Sequence, residues 1–364
     1  MPEVSCRKSL KNIQSYAPAK TLEAIQEELG ISNILRLAAN ENTMGSSPLV
    51  EIAIQKTIRN LYLYPDGMCT ELRKKLADTY KLNSEQLIFS NGSFELISLI
   101  AQAYISEQDE SIIPVPTFGW YKVVTLAMGG NVVEVPLKNH SINLEYVKNN
   151  INNKTKVIWL CNPNNPTGTI FDKTQLTNFL KSIPKNILVV LDEAYYEYAT
   201  SENYPETSDL LELYSNIIIL RTFSKVYGLA ALRVGYGITS KKIITELNKV
   251  RLPMNVNGLA QVAALASLED QNFRKLCVEN NNRGKEYYYN VFKEMNFEYI
   301  PTYTNFIMVN IKEDSIQVAN EILKRGISVR AGVEFNMPTW LRITIGRAEE
   351  NIRLVEVLKD VLLN

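Results

Sequence analysis

The amino-acid sequence predicts an α/β fold, with a three-layer, mostly parallel sheet in a large domain and a smaller α+β domain. Through the middle of the chain, short apolar runs alternate with polar or Gly/Pro-rich stretches and with longer segments of helical period. These runs are continuously apolar, which is typical of parallel strands covered on both faces. The pattern changes after Pro253, so we place the large domain at residues 40–255 and the small domain at residues 1–39 and 256–364.

Short apolar runs are the predicted strands of the large domain, and each leads into a turn or a helix. The first is followed by the glycine turn of "SNGS", and the last leads directly into "RTFSK". In chain order, the segments are a strand and helix within 86–104, a strand beginning with "SIIPV" before a helix near 119, the strand 156–160 before a helix near 173–181, the strand 187–191 before a segment near 206–214, and the strand 216–220. Crossover connections make such strands parallel neighbours in one sheet.

The small domain is predicted mainly from the C-terminal third of the chain. Residues 258–295 are expected to form helices, and the predicted strands are "TNFIMVNI", "GISVRA" and "WLRITIG". The pattern of "EENIRLVEVLKDVLL" predicts a closing amphipathic helix. Helices and strands that are grouped instead of alternating are typical of an α+β domain.

The composition argues against several classes of function. The 39 basic and 39 acidic residues cancel, so nothing indicates binding to nucleic acid or to an anionic membrane. The four cysteines form no C-x-x-C pair, which argues against a metal site or a disulfide framework. His140 is the one histidine, and we interpret it as a solvated loop residue and not as a hydrolase base. No apolar run reaches bilayer-spanning length and the N-terminus lacks a signal core, so we expect a soluble, cytoplasmic protein.

Polar residues follow three neighbouring strands of the predicted sheet. Ligands of doubly wound sheets bind beyond the carboxyl ends of the strands. If the strands are parallel, their ends bring Asn165, then Asp192 with Tyr195, then Ser224 with Lys225 to one edge. A carboxylate at the mouth of an apolar sheet needs a cationic partner, which is either a structural arginine or a ligand cation such as a protonated pyridine. Taken singly, Asn165 could simply turn the chain and Tyr195 could simply pack in the core.

The position of Lys225 at this edge of the sheet is explained if its side chain acts as a nucleophilic amine. A lysine near Arg233 and away from bulk water has a depressed pKa, and its amine can then form a Schiff base with an aldehyde cofactor. Ser224 and Arg233 would hold the phosphate of that cofactor, with the backbone N–H groups of the helix opened by Gly92 and Ser93. The cofactor that combines a pyridine, an aldehyde and a phosphate is pyridoxal 5'-phosphate.

A set of motifs in a fixed order strengthens this interpretation. They are "ANENTMGSSP", "YPDG", "SNGSFELI", "PTFGWY", "CNPNNPTGT", "LDEAYYEY", "RTFSKVYGLAALRVGYG", "TNF" and "LRITIG". In their order and spacing they resemble the fold-type I pyridoxal-phosphate aminotransferases, and within these the histidinol-phosphate aminotransferase subfamily most. The resemblance covers nearly the whole chain and implies an aspartate aminotransferase-like large domain.

The resemblance implies a role for each residue around the cofactor ring. Lys225 would hold the cofactor as an internal aldimine, and Asp192 would keep the pyridine nitrogen protonated. Asn165 and Tyr195 would hydrogen-bond the phenolic oxygen, and Phe118 would stack on the ring. The implied phosphate ligands are Gly92, Ser93, Phe94, Ser224 and Arg233.

The resemblance also implies contacts to a second subunit and to the substrate. Tyr64 of "YPDG" is expected to reach the phosphate of the neighbouring subunit's cofactor, which implies a homodimer with shared active sites. Arg342 would bind the acidic group of the substrate, assisted by Arg330, Asn40 and Tyr16. The alternative for Arg342 and Arg330 is a strand arginine paired with a surface carboxylate, and for Tyr16 a packing role beside a helix.

The implied reaction is a two-stage amino transfer. L-Histidinol phosphate and 2-oxoglutarate would give imidazole acetol phosphate and L-glutamate, as a step of histidine biosynthesis. Lys225, once freed, would move a proton as general base and then as general acid. An aromatic amino acid aminotransferase would use the same residues, with Arg342 on an α-carboxylate, and a decarboxylase of threonine phosphate shares the motifs. A non-catalytic binding protein is the least favoured alternative, because Lys225, Asp192 and Arg233 are all present.

Several positions depart from the usual pattern of the subfamily. Phe94 stands where an acidic residue is common, and Thr43 replaces the proline of "NENP". Leu252 and Met254 replace a proline and an aromatic residue, and Arg347 stands where threonine is frequent. Met254 and Arg347 are expected near the substrate pocket, so the departures leave the identity of the substrate open.

Overall fold

The structure is a computed structural model, and it describes residues 4–11, 13–15 and 20–363. In these residues the α-helices are α1 Leu22–Leu29, α2 Pro48–Thr57, α3 Thr70–Tyr80, α4 Ser93–Tyr104, α5 Trp120–Ala127, α6 Leu144–Asn149, α7 Lys173–Ser182, α8 Lys241–Asn248, α9 Gly258–Glu269, α10 Gln271–Glu294, α11 Ser315–Lys324 and α12 Ala348–Leu363. The strands are β1 Leu35–Arg36, β2 Leu87–Ser90, β3 Glu110–Val115, β4 Asn131–Pro136, β5 Thr155–Cys161, β6 Leu188–Asp192, β7 Ile217–Thr222, β8 Gly235–Thr239, β9 Glu298–Ile300, β10 Phe306–Asn310, β11 Ile327–Ser328, β12 Arg330–Ala331 and β13 Trp340–Thr344.

A seven-stranded sheet carries the first part of the fold, in the order β2-β8-β7-β6-β5-β3-β4. All neighbouring pairs are parallel except those of β8, which runs antiparallel to both β2 and β7. Cys161 pairs with Asp192, and Asp192 pairs with Leu220 on the next strand. The carboxyl ends of β5, β6 and β7 therefore lie at one edge, as the apolar runs predicted.

Alternate side chains of the central strands enter two different cores. On β5, Ile158 and Leu160 join one cluster of buried residues, whereas Val157 and Trp159 join another on the opposite face. The same alternation holds on β6. Burial on both faces favours continuous Val, Ile and Leu runs, since each buried side chain of this size contributes about 1.5–3 kcal/mol. The predicted α/β class with helices on both faces of a mostly parallel sheet is confirmed.

A second, antiparallel sheet forms from the C-terminal strands, in the order β12-β13-β10-β9. A short parallel pair, β1 with β11, lies in a separate two-stranded sheet. Helices α10, α11 and α12 and strands β10 and β13 contribute to one apolar core. The predicted "GISVRA" strand is divided into β11 and β12, and the domain boundaries themselves stay a prediction.

Some elements differ from the sequence-based expectation. The segment near 206–214 forms only a short 3-10 helix, Ser208–Glu212. Strands β4 and β8 were not predicted, because Glu134 interrupts the apolar pattern of β4 and two glycines interrupt that of β8. In the described part of the chain, none of the helices combines the length and the apolarity needed to cross a bilayer.

Candidate active site

The carboxyl ends of β5, β6 and β7 open into a cavity of about 520 Å³. Most of the predicted site residues line it, although they come from distant parts of the chain. The predicted residues in the lining are Asn40, Ser93, Phe94, Phe118, Asn165, Asp192, Tyr195, Ser224, Lys225, Arg233, Arg330 and Arg342. Gly92 comes directly before Ser93 of the lining and lies against the Arg233 side chain. The residues that sequence reasoning did not single out include Glu41, Thr117, Trp120, Cys161, Thr222, Glu334 and Phe335.

Lys225 follows β7 and directs its amine toward the chain segment before α2. Its Nζ donates hydrogen bonds to the carbonyl oxygens of Ala39 and Asn40, each at 3.3 Å. Burial and, after it, the Arg342 guanidinium lower the pKa of the Lys225 amine to about 8, against the opposing effect of Glu41. A substantial share of this amine is therefore neutral, and nucleophilic, near physiological pH.

Asp192 is the last residue of β6 and its carboxylate is buried. Its Oδ2 accepts a hydrogen bond from the Tyr121 hydroxyl at 2.6 Å, and its Oδ1 accepts one from the Ala194 backbone at 3.2 Å. Burial raises the pKa of Asp192, and the bond from Tyr121 opposes that shift. Within the described residues Asp192 forms no ion pair, so the cationic partner that its burial calls for is not a neighbouring arginine or lysine in salt-bridge contact.

Arg233, Ser224 and Thr222 form a polar corner where β2 joins α4. Arg233 Nη1 donates to Ser224 Oγ at 3.3 Å, and Thr222 Oγ1 donates to the same oxygen at 3.1 Å. Gly92 has a φ of +78°, and a Cβ added there would lie 2.4 Å from Arg233 Nη2. The Arg233 guanidinium thus occupies the space that a side chain at position 92 would fill. This space lies beside the N-terminus of α4 at Ser93. Free N–H groups at a helix N-terminus together with an arginine suit a phosphate.

Arg342 on β13 reaches the same cavity from the second sheet. Its Nη1 donates to Asn165 Oδ1 at 2.7 Å, and its Nη2 donates to the Ala38 carbonyl at 2.9 Å. The guanidinium carbon lies 5.4 Å and 5.2 Å from the ring centres of Phe306 and Phe335. Burial lowers the pKa of Arg342 to about 10. Nε has no hydrogen-bond partner, and no carboxylate of the described residues forms an ion pair with this side chain.

Arg330 sits at the mouth of the cavity and is paired. Its Nη2 lies 2.7 Å from Glu334 Oε2, and both side chains are about half exposed, at 45% and 47%. The ion pair with a surface carboxylate that was weighed for this residue is therefore present. Both partners nevertheless line the cavity.

Tyr195 and Asn40 form a hydrogen-bonded pair beneath Lys225. Asn40 Nδ2 donates to the Tyr195 hydroxyl at 2.9 Å, and the Asn40 backbone N–H donates to Thr344 Oγ1 at 3.0 Å. Asn40 has a φ of +57°, a conformation that asparagine tolerates better than most residues. Burial raises the pKa of Tyr195, so its hydroxyl stays protonated and remains available as a donor.

Aromatic rings form one wall of the cavity. Phe118 packs edge-on against Phe94, with ring centres 6.0 Å apart, and against Tyr121 at 5.6 Å. Phe94 packs edge-on against Trp120 at 4.8 Å. Phe94, which departs from the acidic residue common at its position, therefore extends this aromatic wall.

The remaining predicted residues lie elsewhere. Tyr64 is 87% exposed and does not line the cavity of this chain, and Tyr16 lies outside the described residues. Met254 and Arg347 do not line the cavity of this chain, and the Arg347 backbone donates to Glu350, so their approach to the substrate pocket stays a prediction. His140 is partly exposed and packs against Trp340, outside the cavity. These positions depend on the loop paths, which local sequence patterns do not determine.

Residues 32–358 match the family model described as aminotransferase class I and II. The chain belongs to this aminotransferase family. The histidinol-phosphate aminotransferase of Caldicellulosiruptor saccharolyticus is 46% identical to this aminotransferase over 356 residues, which cover 98% of this chain and 99% of the relative. That of Geobacillus sp. strain WCH70 is 44% identical and covers 97% of each chain.

The solved structures agree with the sequence relatives. The crystal structure of histidinol-phosphate aminotransferase from Sinorhizobium meliloti in complex with pyridoxal-5'-phosphate has a TM-score of 0.89 to this aminotransferase at 25% sequence identity. The alignment covers 98% of this chain and 97% of that one. The family resemblance and the fold class inferred from the motifs are thereby confirmed.

Proposed function

We propose that this protein is a pyridoxal-phosphate-dependent histidinol-phosphate aminotransferase of histidine biosynthesis. It transfers the amino group of L-histidinol phosphate to 2-oxoglutarate and releases imidazole acetol phosphate and L-glutamate. One observation carries the proposal: a lysine of lowered pKa and a buried arginine without an ion pair, Lys225 and Arg342, line the same cavity. The names of relatives 42–46% identical over nearly the whole chain support the substrate.

The residues present fit pyridoxal 5'-phosphate. Asp192 is a buried carboxylate that needs a cation, which a protonated pyridine provides. The corner formed by Ser224, Arg233 and the start of α4 suits the phosphate, and the missing side chain at Gly92 makes room for the arginine. When bound, the cofactor supplies an aldehyde for the amino group and a ring that takes up the negative charge developing at the substrate carbon.

The chain's own residues supply binding, orientation and proton transfer. Lys225 accepts the proton from the substrate carbon that bears the amino group and later returns one, a task suited to an amine with a pKa near the working pH. Asn165 and Tyr195 would donate hydrogen bonds to the phenolic oxygen of the cofactor. Phe118, which lines the cavity, would cover one face of the ring and exclude water from it.

Arg342 binds the phosphate of the substrate. It is held by Asn165 and Ala38, and no carboxylate of the described residues pairs with it, so its positive charge is left for an anion. Arg330 assists from the mouth of the cavity after exchanging Glu334 for the substrate. Asn40 contributes a side-chain contact, and the part assigned to Tyr16 stays a prediction from the sequence.

A homodimer with shared active sites completes the proposal. Tyr64 lies in an exposed, largely apolar stretch that a second copy of the chain would cover. The exposed apolar residues of this region include Ile58, Leu61, Tyr62, Leu63, Tyr64, Met68 and Leu252. Tyr64 would then reach the cofactor phosphate of the neighbouring subunit. We also propose a cytoplasmic location and retain the large domain at 40–255, with the small domain at 1–39 and 256–364.

A half-reaction assay tests the function. The purified protein is loaded with pyridoxal 5'-phosphate and mixed separately with L-histidinol phosphate, phenylalanine and O-phosphothreonine, while its visible absorption is followed. We expect rapid conversion of the cofactor to its amino form with histidinol phosphate, followed by glutamate formation when 2-oxoglutarate is added. Faster conversion with phenylalanine, or carbon dioxide release from phosphothreonine, would identify one of the alternative enzymes instead. The Lys225→Ala variant should lose both the visible absorption band and turnover.

A further inference from the structure

Tyr121 makes a contact to which the motif analysis assigned no role. It lies in the first turn of α5 and is 0% exposed. Its hydroxyl donates to Asp192 Oδ2 at 2.6 Å, across 71 residues of sequence. A short bond from a hydroxyl to a buried carboxylate is of the strong, charge-assisted kind.

The ring of Tyr121 is fixed from two sides. It stacks on Trp159, with ring centres 5.0 Å apart and an interplanar angle of 11°, and Phe118 packs edge-on against it at 5.6 Å. Its hydroxyl therefore has little freedom to leave Asp192. Because both groups are buried, a water molecule cannot easily replace the bond.

The bonds to Asp192 leave part of the carboxylate open. Oδ2 accepts from Tyr121 and Oδ1 accepts from the Ala194 backbone, whereas each carboxylate oxygen has two lone pairs. The carboxylate is thus held at both oxygens and can still accept a bond from the cavity. One segment, "PTFGWY", supplies both this donor and Phe118 of the aromatic wall.

We propose that Tyr121 is a positioning residue, whose hydroxyl fixes the Asp192 carboxylate in the orientation and the ionised state that hold the pyridine nitrogen of the cofactor. The proposal rests on the proposed function. Tyr121 acts through Asp192 and does not itself touch the substrate. A purely structural Tyr121 would instead contribute only through its ring, which phenylalanine retains.

The test compares Tyr121→Phe with a matched control, Tyr288→Phe. Tyr288 is also 0% exposed and donates its hydroxyl to a side-chain acceptor, Asn351 Oδ1, at 3.0 Å, but it lies in the core of the second sheet. The dissociation constant of pyridoxal 5'-phosphate is measured by titrating the cofactor-free protein. Turnover and KM for the amino donor are then measured on the loaded enzyme. Both single changes are also made in the Asp192→Asn background.

We expect Tyr121→Phe to weaken cofactor binding about tenfold and to lower kcat about tenfold, with KM for the donor changed less than about twofold. Tyr288→Phe should change each quantity less than about twofold. In the Asp192→Asn background the effect of Tyr121→Phe on the dissociation constant should shrink to within about twofold, because the two residues act as a unit.

Two results would overturn the positioning role: an unchanged dissociation constant in Tyr121→Phe, or a tenfold effect that persists in Asp192→Asn. A Tyr121→Phe chain that fails to fold also counts against it, since the hydroxyl would then be a requirement of the fold. If the unaltered protein binds no pyridoxal 5'-phosphate, the proposed function fails. If it binds the cofactor and Tyr121→Phe behaves like Tyr288→Phe, only the role of Tyr121 fails.

Discussion

Replacing Gly92 by alanine perturbs the proposed phosphate corner in two ways. Gly92 has φ +78° and ψ 153°, a backbone region essentially reserved for glycine, which costs another residue about 1–3 kcal/mol. The new Cβ would also lie 2.4 Å from Arg233 Nη2, so the guanidinium has to move away from its position beside Ser224. We expect the free energy of unfolding of the cofactor-free protein to fall by about 2 kcal/mol. Cofactor binding should weaken about tenfold or more, because a charge-assisted bond to the phosphate is lost.

Gly30→Ala separates backbone strain from the displaced arginine. Gly30 has φ +67° at the end of α1, and nothing lies within 4 Å of an added Cβ. It should cost about 1 kcal/mol of stability and leave cofactor affinity unchanged. Urea unfolding of the cofactor-free proteins gives the stabilities, and a titration with pyridoxal 5'-phosphate gives the affinities. Gly92→Ala protein that binds the cofactor as tightly as Gly30→Ala would refute the assignment of Arg233 and the α4 N-terminus to the phosphate.

Three further predictions concern the charged groups of the cavity. Since the pKa of Lys225 is lowered from 10.5 to about 8, the rate of its acylation in the cofactor-free protein should rise as the pH passes through about 8, more than two pH units below the point at which ordinary lysines react. Mass spectrometry of labelled peptides measures the acylation at each pH. A midpoint above pH 10 would contradict the lowered pKa. Arg342→Gln should lower kcat/KM for histidinol phosphate about 10- to 100-fold while the visible absorption of bound cofactor stays the same, and an unchanged kcat/KM would exclude Arg342 from substrate binding. Glu334→Gln should lower KM for histidinol phosphate about two- to threefold, since it releases Arg330 from an exposed ion pair; a higher KM would show that Glu334 itself helps to bind the substrate.

The main strands of the large sheet and the placement of their polar ends were predictable for a specific reason. Strands covered on both faces need continuous apolar runs, and such runs precede Asn165, Asp192 and Lys225. Parallel neighbours then bring the following residues to one edge. Strand β8 was not predicted because Gly235 and Gly237 interrupt its β-forming residues. A Cβ at Gly235 would lie 2.3 Å from the Ser93 nitrogen, so packing against the start of α4, and not strand propensity, explains the residue.

Within the site, the hydrogen bond of Tyr121 is likewise a contact that the sequence pattern does not predict. Its place in "PTFGWY" is visible in the sequence, but an aromatic residue on a helix is more often a packing residue than a hydrogen-bond donor to a functional group. Only the packing of α5 against the sheet brings its hydroxyl to Asp192. Similarly, the sequence left two alternatives for Arg330, an ion pair with a surface carboxylate or a contact to the substrate. The ion pair with Glu334 at the cavity mouth is a feature of the tertiary structure.

By itself, the sequence determined which chemical groups stand at the ends of the central strands, because burial pattern and strand direction are encoded locally. The tertiary structure decided which distant groups meet there. Arg342 reaches Asn165 across 177 residues, and Lys225 reaches the Asn40 carbonyl across 185. Such pairs form when two sheets and the segment that joins them pack around one cavity, and the partners of a buried charge are then set by geometry and desolvation. Local sequence patterns contain no information on this geometry or on desolvation. The lack of a hydrogen-bond partner for Nε of Arg342 could therefore be seen only in the folded chain.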